Sequence, residues 1–93
     1  MIVWRFWVTL KDNLPREEIN NFRGRFPNLF FEADGLYRAD IDADTRQAAE
    51  FIFRNVHDYY PLIGDKAVQK IEIEPILEKR QFYFTQNLDD ILS

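Results

Sequence analysis

Carboxylates supply most of the reactive chemistry in this chain. Asp40, Asp42 and Asp44 form its densest acidic constellation, and acids at alternate positions are how a calcium-binding loop begins. Such a loop needs Gly at its sixth position for a sharp turn and a bidentate Glu at its twelfth, where this chain has Thr45 and Phe51. Mg or Ca would bind these oxygens only if further donors converged on them. A simpler use is local: Asp40 and Asp42, two apart at the end of a strand, face the same way into solvent, and Asp44 caps a helix. His57 is the single side chain whose unperturbed pKa lies near neutrality, so general-base catalysis would start there. Late in a helix and next to Asp58, it has the plainer task of meeting the last carbonyls or solvent. Asp40, Asp42, Asp44 and His57 together define one reading of the chain, a small-molecule sensor or a divalent-metal-assisted enzyme.

Other chemistries fail on residue type. The chain has no Cys, which removes disulfides, zinc ribbons, iron–sulfur clusters and a thiol nucleophile. Its single Ser is Ser93, the last residue of the sequence, where a nucleophile is hard to hold beside a base. The acidic pairs Glu17-Glu18, Glu72/Glu74 and Asp89-Asp90 would do acid–base work only in environments that drive their pKa values apart, and no pocket is evident around them. With Gly only at 24, 35 and 64, the segment Thr9-Leu10-Lys11-Asp12-Asn13 after the first strand cannot wrap an anion as an acylphosphatase-type turn does. Arg23-Gly24-Arg25 is the one compact basic cluster in a chain of net charge −4, and Gly35 to Ile41 does not match the basic-Gly-aromatic pattern of RNA-binding sheets. Nucleic acid is therefore not the expected partner. No cofactor and no resident metal are expected.

The elements that position these residues follow from periodicity. Ile2, Trp4, Phe6, Val8 and Leu10 alternate with Val3, Arg5, Trp7 and Thr9, the period of a strand with one apolar face. A helix begins around Pro15-Arg16-Glu17-Glu18, carries Ile19, Phe22 and Phe26 at helical spacing, and ends between Gly24 and Pro27. Leu29 to Ala33 and Leu36 to Ile41 read as strands joined by the hairpin pair Asp34-Gly35. A second helix is expected from Asp44, with Gln47 completing a capping box, to about Tyr60. Its buried stripe would be Ala48, Ala49, Ile52, Val56 and Tyr60, widened by Phe51 or Phe53. Ala67 to Ile73 alternates again, and Pro75 limits that strand or places it at an edge.

Strand, helix, strand, strand, helix, strand, joined by right-handed crossovers, gives an α+β sandwich: a ferredoxin-like βαββαβ arrangement with a four-stranded antiparallel sheet and both helices on one face. Residues 1–76 complete it, and residues 77–93 extend the same domain with a strand at Gln81–Thr85 and a short helix at Asn87–Leu92. Ninety-three residues suit one domain with a single core. No stretch approaches the roughly 18 apolar residues of a membrane span. Ile2 to Leu10 has no basic segment ahead of it and carries Arg5, so a cytoplasmic protein without a membrane partner is expected.

Aromatic residues make up 16% of the chain, more than a small core requires, so some rings are left for a surface. Trp4, Phe6, Phe22, Phe26 and Phe31 are expected in the core. The sheet face turned away from the helices receives Val3, Arg5, Trp7 and Thr9, then Phe30, Glu32, Leu36, Arg38 and Asp40, then Lys70, Glu72 and Glu74. Aromatics ringed by charges of both signs resemble an interface core with its polar rim. The expected interaction residues are Arg5, Trp7, Phe30, Leu36 and Arg38, joined by Phe82 and Phe84 from the extension. The expected function is a protein-interaction or regulatory domain without catalysis, homodimeric or bound to a protein partner through this face and the extension. The remaining alternative for the face is that the extension folds back and covers it with Phe82, Phe84, Leu88, Ile91 and Leu92.

Overall fold

A computed structural model describes residues 2–56 and 58–76; His57 and the expected extension at 77–93, with Phe82 and Phe84, lie outside the described residues. The elements are β1 (Ile2–Leu10), α1 (Arg16–Arg25), β2 (Phe30–Ala33), β3 (Leu36–Ala43), α2 (Arg46–Asn55), a 3-10 turn at Tyr60–Leu62, and β4 (Val68–Pro75). The strands form one antiparallel sheet in the order β2-β3-β1-β4, the ferredoxin-like arrangement. Among the described residues, no helix is long and apolar enough to cross a membrane.

Alternation in β1 sets the layers. Phe6, Val8 and Leu10 are buried; Phe6 pairs with Ala39 and Val8 with Tyr37 on β3, and Leu10 pairs with Val68 on β4. Both helices pack on this side. Phe53 of α2 stacks on Phe6 with ring centroids 4.2 Å apart and 7° between planes, and Phe22 of α1 lies 5.3 Å from Tyr37. Tyr59 extends the stack on the far side of Phe53 at 5.5 Å. Trp4 is half-buried against this core, its indole N–H donating to the Ala43 carbonyl at 3.2 Å. The Tyr37 hydroxyl is buried with no hydrogen-bond partner among the described residues. Burial pushes its pKa up, against a smaller pull from Arg23.

Local chemistry explains where the elements stop. α1 follows Pro15, whose φ of −61° suits a helix start, and carries Glu17 and Glu18 in its first turn and Arg23 and Arg25 in its last, both matching the helix dipole. Gly35 supplies the positive φ, 76°, of the β2–β3 turn. The cap of α2 corrects the expectation at Asp44. β3 runs on to Ala43, paired with Ile2, and this moves the helix start one residue on, so the Thr45 side chain accepts from the Ala48 N–H at 3.1 Å. Asp44 is exposed, and the capping box with Gln47 does not form.

α2 also ends earlier than expected, at Asn55, with Val56 already extended at ψ 138°. Its buried side is narrower too, formed by Ala49 and Phe53 with Ile52 half-buried, while Phe51 and Tyr60 are 67% and 61% exposed. Phe31 is likewise corrected. It lies on edge strand β2 and is half exposed, edge-on to Tyr37 at 5.7 Å with the Arg23 guanidinium 5.0 Å from its ring. The cap assignment predicts that Thr45→Ala costs about 1 kcal/mol in urea unfolding, whereas Asp44→Ala stays within about 0.5 kcal/mol of wild type. The opposite order would return the cap to Asp44.

Candidate functional site

The sheet face without helices is where the expected interaction residues meet. Strand register aligns them in rows: Phe30 with Arg38, Arg38 with Trp7, and Trp7 with Glu72. The next row runs Asp40, Arg5, Glu74, and the one on the other side runs Leu36, Thr9, Lys70. Directly opposed residues on one face of an antiparallel pair are close enough to interact. Arg5, Trp7, Phe30, Leu36 and Arg38 therefore share one surface.

Asp40 is the hub of that surface. Arg5 donates to it through both arms of its fork, Nε to Oδ1 at 2.9 Å and Nη2 to Oδ2 at 3.1 Å. Arg38 Nη1 donates to the same Oδ2 at 2.8 Å, and Arg38 Nε donates to Glu32 Oε1 at 2.5 Å. Each guanidinium also sits over a ring, Arg38 at 4.6 Å from Phe30 and Arg5 at 5.6 Å from Trp7. The Trp7 indole N–H donates to Glu74 Oε2 at 2.6 Å, completing a network from β2 to β4 along which Phe30, Arg38, Asp40, Arg5, Trp7 and Glu74 are connected.

Two opposing effects act on Asp40. Burial alone pushes its carboxyl pKa up; the hydrogen bond and charge of Arg5, with the charge and hydrogen bond of Arg38, outweigh it and hold the pKa below the usual carboxylate value. The hydrogen bond to Asp40 in turn raises the pKa of Arg5 against its own desolvation. Asp40 is thus held ionised and is a poor proton donor near neutral pH.

This arrangement limits the chemistry the face can do. Arg5, Arg38 and Lys70 stand against Glu32, Asp40, Asp42, Glu72 and Glu74, so the surface is net negative and offers a phosphate backbone little attraction. The expected anchors Arg5 and Arg38 have their forks turned inward, with side chains only 15% and 20% exposed. They orient the rings and have few donors left for a ligand. Phe30, at 55%, is the open apolar group, and Leu36 and Trp7 are half-buried beside it.

The three aspartates do not converge. Asp40 is held by two arginines, Asp42 is exposed opposite Val3, and Asp44 is exposed beyond the strand. Among the described residues, no three His, Cys, Asp or Glu side chains come together as metal ligands. Sequence reasoning missed the roles of Asp40, Glu32 and Glu74 as acceptors. The readable signal was charge alternation along β3, where Arg38 and Asp40 stand two apart and so share a face.

Comparison with protein-family models, with curated proteins and with solved structures yields no match. At neutral pH, Asp40→Asn should lower unfolding free energy by about 1–2 kcal/mol, because two guanidinium groups then share a neutral amide. A depressed folded pKa gives stability that is complete above the unfolded value of about 3.9 and is lost as pH falls through the folded value. The gap between wild type and variant in denaturant melts should therefore close below about pH 3.9. A gap of constant size down to the lowest pH would contradict the ion-pair assignment.

Proposed function

We propose that this protein is a small cytoplasmic interaction or regulatory domain without catalysis of its own, which self-associates or docks on a protein partner through the open face of its sheet. The observation that carries the reading is the Phe30–Arg38–Trp7 row: an exposed ring beneath a guanidinium whose charge is already balanced within the chain. Burying an unpaired charge on association is costly, and removing one partner of a buried pair costs more. Here the partners travel together, so an incoming surface can cover Phe30 and Trp7 without stranding Arg38 or Arg5. Aromatic residues and Arg are also the types that dominate binding energy at interface centres.

Self-association of this net-negative face depends on its apolar residues and on local pairing of opposite charges. An isologous contact needs a surface complementary to itself, and this face carries Arg5, Arg38 and Lys70 interleaved with acids on neighbouring strands. Sedimentation velocity of the full chain should show a dimer forming within the micromolar range. Phe30→Asp should weaken it at least about tenfold, or about 1.4 kcal/mol, with unchanged far-ultraviolet circular dichroism. A wild-type protein that stays monomeric to millimolar concentration would remove self-association, and a Phe30→Asp dimer of unchanged strength would remove this face.

A further inference from the structure

The other side of the sheet carries an opening of a different kind. Between α2 and β4 lies a groove of about 480 Å³ lined by the apolar Phe6, Phe53, Ile63, Ile71 and Ile73 and by the charged Arg46, Glu50, Arg54 and Glu72. Ile63 is 42% exposed, and Ile71 and Ile73 are only half-buried although they face the helix side of the sheet. Among the described residues β4 is also an edge strand. The Ile76 N–H donates inward to the Val3 carbonyl at 2.8 Å. Backbone groups in an antiparallel strand alternate in direction, so the N–H and C=O of Ile71 and Ile73 point to the free edge. Pro75, which has no N–H to donate, falls on that same outward phase. Edge groups without a partner among the described residues, beside half-buried isoleucines, form a template for one more strand.

We propose that residues 81–85 of the same chain fill this template as a fifth strand, antiparallel to β4, with Phe82 opposite Ile73 and Phe84 opposite Ile71. Residues 77–93 follow directly from the end of β4 and outnumber its eight residues, so the return along the edge needs no crossing of the sheet. This register places Arg80 opposite Pro75 and leaves Ile76 to Lys79 as a four-residue hairpin loop, a common length. The alternative, one residue out of phase, sets Phe82 and Phe84 against Glu74 and Glu72 on the open face. Hydrophobic pattern decides between them, because a one-residue slip exchanges every side chain between faces. In the proposed register Phe82 and Phe84 cover the groove, while Gln81, Tyr83 and Thr85 align with Glu74, Glu72 and Lys70. The Lys70 end of β4, where such a strand finishes, lies toward the C-terminal end of α2, and Arg54 lines the groove there. This register leaves the Phe30–Arg38–Trp7 row untouched but takes Phe82 and Phe84, expected among the interaction residues, to the helix side of the sheet.

Nuclear magnetic resonance of the full-length protein tests it. Glu72 and Tyr83 form a non-hydrogen-bonded pair in this register, the kind with the closest backbones, so an Hα–Hα contact is expected between them and another between Glu74 and Gln81. The Ile71 and Ile73 amides should exchange at least about 100-fold more slowly than open-chain amides. Phe84→Pro should remove that protection at Ile71 while Val8 stays protected. A Glu72–Phe84 Hα–Hα contact would establish the other register and overturn the proposal. So would contacts seen only between differently labelled chains, which would mean a second copy supplies the strand, or open-chain exchange at Ile71 and Ile73 in the wild type.

Discussion

β1 is paired on both sides, with β3 across one edge and β4 across the other, and its side chains can only alternate. Phe6, Val8 and Leu10 must therefore go under the helices together, and Arg5, Trp7 and Thr9 must go to the other face together. A slip of one residue would put Arg5 and Trp7 where Phe53 now stacks on Phe6. Fixing β1 thus fixes β3 and β4 through register and gives α1 and α2 a single place to bury Phe22, Ala49 and Phe53. The same constraint creates the open face as a by-product of making the core.

What the open face does with its residues depends on one carboxylate. Asp40 accepts three hydrogen bonds from two guanidinium groups that would otherwise repel each other across β1 and β3. Partly covered ion pairs of this kind add little net stability, because desolvation offsets attraction. Their effect here is geometric: they hold Arg38 over Phe30 and Arg5 over Trp7. Rings held in this way lose less side-chain freedom on association than free ones would.

Much of this division was legible in the sequence. The period of two in Ile2 to Leu10, the Asp34-Gly35 turn and the element order lead to the observed topology, and the residues of the open face follow from parity alone. Particular boundaries were not legible, for physical reasons. Asp44 and Thr45 are both good N-caps, and the choice between them is made by how far β3 stays paired with β1 at Ile2 and Ala43. Phe31 has the right parity for the core, yet its strand is at the sheet edge and leaves it half exposed. Arg5 and Arg38 read as anchors reaching outward because the strand register that sets Asp40 opposite Arg5, and so turns both forks inward, is a long-range pairing that local sequence does not reveal.

A direct measurement of this account is the carbon-13 titration of the Asp40 carboxyl in the folded protein. Burial and the two arginines act in opposite directions on that group, so the midpoint reports which prevails. The shared-carboxylate network requires a midpoint below the ordinary value of about 3.9. A midpoint at or above that value would mean that desolvation prevails and that Asp40 does not organise the face.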